Sequence, residues 1–397
     1  MVVDFNEALT IVLGAARGGV PGGVARARLL DSLGRVLAEA VTADRDQPPF
    51  DRATRDGFAV RAGAMLNGAR LRVAGELKAG EVWCGDVGDG DAVQIMTGAP
   101  LPAGADAVAM VEHVVLDGEM VSLAAGRGLS PGENVVARGA EARGGEVVLA
   151  AGARIGGAEI ALAASCGCGE LTVFRRARVA VVATGDELVE VGEMPGPEQI
   201  RNSNSYALAA LVTLAGGEPE RLEIAQDTRD AIRERIARGR EADLLVFSGG
   251  VSMGEYDLVE EVLAEFGAEF LFTGVRMQPG KPVVFGRLPG GPHFFGLPGN
   301  PISTQVTFHC FVEPMVRALG GETGAEPRWA QATLLEGEAG KPGVTRLLPG
   351  RMDGIGVRVV GWQGSGDLAA NARANCYVKL LPGREYRKGE VVRVLLR

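Results

Sequence analysis

The stretch Asp243 to Asp257, DLLVFSGGVSMGEYD, places the tightest constraint on how this chain folds. Its run Leu244-Leu245-Val246-Phe247 is short and rich in large apolar side chains, as expected of a strand buried on both faces in a parallel sheet. The run stops at Ser248-Gly249-Gly250, and beyond Asp257 the apolar periodicity of Leu258, Val259, Val262 and Leu263 predicts a helix. Strand, glycine turn and helix in that order let backbone N–H groups approach an anion, and the helix N-terminus adds partial positive charge, so the unit suits a phosphate. A plain strand-to-helix turn with Asp257 as N-cap accounts for an isolated GGxSxG as well, so the rest of the chain has to decide.

Around this stretch, strand and helix patterns alternate. Arg178 to Thr184 is a buried-strand run, Ser205 to Leu214 is helical, Leu222 to Ala225 is expected as a strand, and Thr228 to Arg238 is an amphipathic helix. Alternation of this kind predicts a parallel sheet with right-handed crossovers, whose ligands sit beyond the carboxyl ends of the strands. Thr184-Gly185-Asp186-Glu187, Asp227 and Ser248 to Asp257 each follow a strand, so they should converge on that edge. The carboxylates Glu187, Asp227 and Asp257 would repel a phosphate there unless a divalent cation bridged them. The combination implies a phosphorylated ligand with Mg²⁺ held by those three residues, although any one of them alone reads equally as a solvated or capping carboxylate. Farther on, Pro298-Gly299-Asn300-Pro301 sets Asn300 as N-cap and Pro301 as the first residue of a long helix ending at Leu319.

The flanking regions have a different grain. Asp4 and Glu7 form a capping box for a helix carrying Ala8, Leu9, Val12 and Leu13 on one side. From Gln47 to about Val121, short alternating strands such as Leu71-Arg72-Val73 are separated by Gly/Asp turns, which predicts a small β-rich domain. The acidic turn Gly85 to Asp91 lacks EF-hand spacing, so it is not a calcium loop. A glycine-rich segment covers 139–169, and short strands return from about Glu326 to Arg397. Lys281, in Gln278-Pro279-Gly280-Lys281-Pro282, is not a P-loop lysine, because Gly274 and Gly280 are one residue too far apart and Pro282 replaces the hydroxyl residue.

Composition narrows the function classes. A net charge of −9 argues against a general nucleic-acid surface, and no run approaches the about 18 apolar residues of a membrane span. The start MVVDFNEALT has no basic and apolar signal-peptide regions, so a cytoplasmic protein is expected. Five scattered cysteines without a CxxC pair read as reduced thiols.

Taken together, the motifs resemble one family, the molybdopterin molybdenumtransferases, which include the E domain of gephyrin. The residues that carry the resemblance are PPFDRATRDGFAVRA at 48–62, IMTGAPLPAGADAV at 95–108, GENVVARGAE at 132–141 and VVATGDEL at 181–188. SGGVSMGEYD at 248–257, QPGKP at 278–282, GLPGNPIS at 296–303 and QGSGDLAANARAN at 363–375 complete the set. The resemblance implies a multidomain fold: an α/β domain of the molybdopterin-adenylyltransferase type at 177–325, a β-rich domain at 47–139, a discontinuous linking domain at 1–46 with 140–176, and a small barrel-like β domain at 326–397.

It also implies a cytoplasmic homodimer with a site shared between subunits, and contact with other cofactor-biosynthesis proteins. The reaction would be molybdate plus adenylyl-molybdopterin giving molybdenum cofactor and AMP, with Mg²⁺ as cofactor. Catalytic positions would be Asp56, Thr97, Glu187, Asp227 and Asp257; the substrate would be held by Ser248, Gly249, Gly250, Ser252, Lys281, Pro298, Gly299 and Asn300. In this picture the glycine turn and Lys281 together grip the pyrophosphate. The chain departs from the family pattern at Arg52-Ala53-Thr54-Arg55, at Arg138-Gly139-Ala140-Glu141 and at Gln278. Two other classes stay in view: an adenylyltransferase using ATP, separable by ATP turnover, and a gephyrin-like scaffold, against which the retained carboxylates argue.

Overall fold

The computed structural model describes residues 1–17, 22–250 and 258–397. Two compact units emerge, one of Met1–Glu39, Gly152–Gly156 and Glu170–Arg397, the other of Ala40–Ala151 with Gly157–Gly169.

The first unit is built on a six-stranded sheet in the order Glu218–Arg221, Arg178–Ala183, Leu244–Ser248, His293–Leu297, Val284–Arg287, Glu269–Phe272. The first four strands run parallel, with Val181 opposite Val246 and Val246 opposite Phe295. Val284–Arg287 is antiparallel to both neighbours, so the sheet is mixed where a parallel one was expected. The central strands are buried on both faces. Val179, Val181, Leu244, Val246, Phe295 and Leu297 face one core, and Ala180, Val182, Leu245, Phe247 and Phe294 face the other. A one-residue slip would exchange every side chain between the two cores. With about 1.5–3 kcal/mol for each fully buried Val, Leu or Phe, the packing fixes the register and therefore which residues reach the carboxyl edge.

Helices Asn204–Leu214 and Pro301–Thr307 contribute to the first core and helices Arg229–Gly239 and Leu258–Glu265 to the second. Thr228 caps its helix by accepting from the Ala231 N–H. Helix Phe5–Arg17 lays Phe5, Ala8, Val12 and Ala16 into the first core, and the Asp4 N–H donates to Glu7 as the capping box requires. Two sequence expectations shift. The edge strand is Glu218–Arg221, and of the expected strand Leu222–Ala225 only Ala225 keeps a bridge, to Thr184. The long helix from Pro301 to Leu319 is broken by a π turn over Phe308–Val312, and Asn300, at its N-cap position, makes no side-chain capping bond.

The same unit ends in a closed five-stranded barrel. Thr345–Asp353 pairs with Gly356–Val359, that strand with Trp329–Leu334, then Val391–Leu396, then Cys376–Leu380, which returns to Thr345–Asp353. Leu334, Leu348, Val357, Val378 and Val394 fill it. The short strand Met277–Gln278 adds in parallel to Thr345–Arg346, so the Gln278–Pro282 loop leaves directly from the barrel edge.

The second unit holds a six-stranded sheet in the order Ala107–Met110, Gly57–Val60, Asp91–Ile95, Leu71–Leu77, Met120–Leu123, Val114–Asp117. Strand Gly57–Val60 is buried along its whole length, Phe58 and Val60 in one core and Ala59 in another, which fixes the position of Asp56 immediately before it. All five cysteines are free thiols. No helix among the described residues is long and apolar enough to cross a membrane.

Candidate functional site

The parallel strands of the first unit deliver their ends into a cleft of about 690 Å³, as the carboxyl-edge rule requires. Thr184 follows strand Arg178–Ala183, Ser248 closes its own strand, and Gly299 and Asn300 follow strand His293–Leu297; all four line the cleft, with Glu187, Gly249, Asn202 and Asn204. Gly249 has φ +93°, and a Cβ there would stand 2.5 Å from the Thr184 carbonyl oxygen. Gly250 has φ +64°, and its Cβ would meet Val259 at 2.6 Å. Both positions therefore need glycine for conformation and for space.

The cleft wall is tied together by one amide. Asn204 Nδ2 donates to Ser248 Oγ at 2.9 Å and to the Gly299 carbonyl at 2.7 Å, joining the ends of two neighbouring strands. Its Oδ1 is buried without a partner, as are Thr184 Oγ1 and Asn202 Nδ2. Buried polar atoms are paired in the large majority of cases, and leaving one unpaired costs about 1–3 kcal/mol. Three of them, Thr184 Oγ1, Asn202 Nδ2 and Asn204 Oδ1, belong to residues lining this one cavity.

Acidic groups gather at the same edge. Burial, and then the charges of Asp186 and Glu187, push the Asp227 carboxyl above its ordinary range, while Asp186 Oδ1 accepts from the Asp227 N–H at 3.0 Å. Among the described residues no cluster of three acidic, cysteine or histidine side chains stands close enough to hold a metal alone. Mg²⁺ binds through one or two carboxylates with waters and substrate phosphates completing its shell. An oxygen-only donor set whose members repel one another fits such an ion.

Lys281 is not with the glycine turn. It lines a second cavity of about 400 Å³ with Gln278, Ser303, Trp362, Gly364 and Ser365. Segment 364–368 and the start of the helix at Pro301 serve both cavities, and the Ile302 N–H donates to the Ser365 carbonyl at 2.8 Å between them. Lys281 and the glycine turn line different, neighbouring cavities, because the loop leaves from the barrel edge and carries the lysine into the smaller one. Pro298 is buried, and its carbonyl accepts from Thr304 Oγ1 at 2.6 Å; Asn300 is exposed in the larger cleft with its side chain uncommitted to capping. Ser252 and Asp257 lie outside the described residues.

In the second unit, Asp56 and Thr97 meet directly, with the Thr97 N–H and hydroxyl both donating to Asp56 Oδ1. Two of the positions where the sequence departs from the family pattern also pair: Arg52 reaches Glu141 at 2.8 Å. Sequence reasoning set Thr184 at this edge without giving it a role, and missed Asn202 and Asn204 as site residues. A signal was present in Arg201-Asn202-Ser203-Asn204-Ser205, a polar run longer than one N-cap needs ahead of an apolar helix.

An α/β sheet with a polar cleft at its carboxyl edge, a small barrel and a separate β unit together define a multidomain α/β protein. Residues 3–167 match the family described as "MoeA N-terminal region (domain I and II)", residues 180–318 the "Probable molybdopterin binding domain", and residues 331–396 the "MoeA C-terminal region (domain IV)". A molybdopterin molybdenumtransferase of Staphylococcus aureus is 36% identical over 92% of this chain and 89% of its own length. One from a Nostoc species is 40% identical over 74% of this chain and 69% of its own. The crystal structure of a molybdopterin biosynthesis moeA protein from Pyrococcus horikoshii OT3 superposes with a TM-score of 0.80 at 28% identity, covering 100% of both chains. The chain belongs to the molybdopterin molybdenumtransferase family.

Proposed function

We propose that the protein acts in molybdenum cofactor biosynthesis as a transferase that takes molybdate and adenylyl-molybdopterin to molybdenum cofactor and AMP. The observation that carries this reading is the larger cleft, where three unpaired buried polar atoms surround a glycine turn at the sheet's carboxyl edge. A reaction with one large and one small anionic substrate suits two neighbouring cavities, the larger one for the pterin with its pyrophosphate. The smaller cavity, with Lys281, Ser303 and Ser365, offers a charge and two hydroxyls to a tetraoxo anion.

In this reading Gly249 and Gly250 bring backbone close to the pyrophosphate, and Asn204, Asn202 and Thr184 orient the substrate through their free polar atoms. Glu187 and Asp227, with Asp257 added by the family resemblance, would hold Mg²⁺. When bound, Mg²⁺ would neutralise charge on the phosphate oxygens of the departing AMP. The active form is proposed as a cytoplasmic homodimer in which Asp56 and Thr97 of one copy complete the site of the other.

The test is reconstitution. Purified protein incubated with adenylyl-molybdopterin, molybdate and Mg²⁺ should release AMP and yield cofactor that activates an apo-molybdoenzyme. AMP formation only from ATP and molybdopterin would overturn the reading in favour of an adenylyltransferase. For the dimer, mixed Asp56→Ala and Asp227→Ala variants should regain partial activity through mixed dimers; no recovery after verified subunit exchange would sink the shared site.

A further inference from the structure

Away from both cavities, the amino-terminal side of the sheet contains a small slot lined mostly by arginine. Arg35, Arg154, Arg175, Arg176 and Arg317 surround it with Glu322 as the one acidic wall residue. Glu322 is committed to Arg317, which it meets at 2.7 Å and 3.0 Å, and it stands 3.9 Å from Arg154. Arg175 is matched by Asp243 at 3.1 Å. Arg35 and Arg176 make no ion pair among the described residues, and Arg176 makes no side-chain hydrogen bond either. Arg35 spends Nη2 on the Phe174 carbonyl at 3.0 Å and leaves Nε buried without a partner. Arg154 turns its Nη2 to the Ala215 carbonyl at 2.8 Å.

The charges do not balance. Three guanidinium groups, of Arg35, Arg154 and Arg176, share one slot, against Glu322, which Arg317 holds and Arg154 only approaches at 3.9 Å, and the more distant charge of Glu218, which acts on Arg35 without an ion pair. Burial first, then the charge of Arg176, pulls Arg35 below its ordinary range against a partial offset from Glu218; burial, with the charges of Arg317, Arg328 and Arg176, lowers Arg154 although Glu322 acts to raise it. The slot has a volume of about 10 Å³, room for one water-sized occupant. Water would satisfy the Arg35 Nε–H and do nothing for the excess charge.

We propose that this slot is a binding site for a small inorganic anion of halide size, held by Arg35, Arg154 and Arg176. Such an ion pairs the orphaned Arg35 Nε–H and cancels part of the repulsion. It also fastens together chain segments far apart in sequence: Gly34–Val36, the short Gly152–Gly156 segment, Phe174–Arg176, and the helix ends at Ala215 and Arg317. Its role is to stabilise the body that carries the two cavities, without touching either.

The experiment is thermal unfolding of the full-length protein in chloride against gluconate at constant ionic strength, so that general screening is the same in both. Chloride, and bromide in its place, should raise Tm by several degrees in the native protein, because a ligand bound only to the folded state stabilises it by mass action. Arg176→Met removes charge without removing a hydrogen bond, so it should fold, match or exceed the native Tm in gluconate, and lose most of the chloride increment. Arg35→Met also loses the hydrogen bond to the Phe174 carbonyl, so it should have a lower Tm in gluconate and likewise lose most of the chloride increment. A bromide soak should show an anomalous peak beside Arg35. Equal Tm in chloride and gluconate, an undiminished chloride increment in Arg176→Met, or a response to sulfate alone would each overturn the proposal.

Discussion

Thr97 donates twice to the same oxygen of Asp56, from its backbone N–H at 2.7 Å and from its hydroxyl at 2.8 Å. Both bonds go to Oδ1, so Oδ2 is left to face another partner. The backbone bond first, then the hydroxyl, hold the Asp56 carboxyl below its usual range, because both donors favour the ionised form. Thr97→Val keeps the backbone donor and removes the hydroxyl. The Asp56 titration followed by carboxyl NMR should then move up toward the ordinary carboxylate range, and Thr97→Ser should restore it. Turnover should follow the same order, low in valine and recovered in serine. An Asp56 titration unchanged in Thr97→Val would show that the hydroxyl has no hold on the carboxylate.

Asn204 is the knot of the larger cleft. Replacing it with Ala removes two donors at once, from Ser248 Oγ and the Gly299 carbonyl, which should cost about 1–3 kcal/mol of stability. Its free Oδ1 predicts a second effect, a rise in substrate Kd of about 10-fold or more, since about 1.4 kcal/mol is a factor of ten. Asn204→Asp separates the two effects, because it keeps an acceptor and adds a charge facing the phosphate. A stability loss in Asn204→Ala with unchanged substrate affinity would reduce Asn204 to a structural tie.

How much of this was legible in the sequence depended on whether the signal was local. Strand Leu244–Ser248, helix Asn204–Leu214 and the Asp4–Glu7 capping box could be read because burial on both faces, periodicity and cap chemistry are written in nearby residues. The edge strand was misplaced for the same reason. Glu218-Pro219-Glu220-Arg221 pairs on one side only, where polar side chains and a proline are tolerated, while the more apolar Leu222–Ala225 drew the assignment. The antiparallel strand Val284–Arg287, the barrel closure and the separation of Lys281 from the glycine turn all rest on pairings between distant segments. No local pattern encodes these. The cleft's polar wall fell between the two cases: Asn202 and Asn204 were visible as polar residues, but their lack of partners exists only in the fold.

The π turn over Phe308–Val312 places a buried acid–base pair under the barrel, with His309 Nδ1 2.7 Å from Glu313 Oε2 and side-chain exposures of 4% and 17%. Burial, the largest influence, pushes the Glu313 carboxyl up, yet the His309 hydrogen bond and the charges of His309, Arg328 and Arg317 together carry it below its ordinary range. A depressed folded pKa contributes stability that is present above the unfolded glutamate range and lost as pH falls through the folded value. His309→Ala should therefore cost about 3 kcal/mol, the order found when one member of a buried pair is removed, and should flatten the acid limb of the stability profile. Urea unfolding across the acid range checks both. A variant as stable as the native protein with the same acid limb would refute the pairing argument.

Asp227 has the opposite sign. Its folded pKa is raised, so a penalty appears as pH rises through the interval between the unfolded and folded values and persists above it. Asp227→Asn should raise Tm at neutral pH in metal-free buffer while abolishing turnover. In the native protein, EDTA should stop turnover and Mg²⁺ should restore it, with the half-saturating Mg²⁺ concentration rising on acidification as protons compete for the carboxylate. Turnover equal in exhaustively demetallated and Mg²⁺-loaded protein would remove Glu187 and Asp227 from any metal site.

Lys281 decides between one anion site and two. If it gripped the pyrophosphate with Gly249 and Gly250, Lys281→Ala would weaken adenylyl-molybdopterin binding. The structure instead sets it in the smaller cavity with Ser303 and Ser365, across the Ile302–Ser365 hydrogen bond from the glycine turn. A charge-assisted hydrogen bond contributes about 1.5–3 kcal/mol, so its loss should raise the molybdate concentration needed for half-maximal rate by about 10- to 100-fold. Adenylyl-molybdopterin affinity, measured by calorimetry without molybdate, should stay within about twofold, well under the tenfold step of about 1.4 kcal/mol. Ser303→Ala should move in the same direction by a smaller factor, since a neutral donor is weaker than a charged one. A Lys281→Ala protein with normal molybdate saturation and weakened pterin binding would return the lysine to the larger cleft and leave the smaller cavity without a substrate.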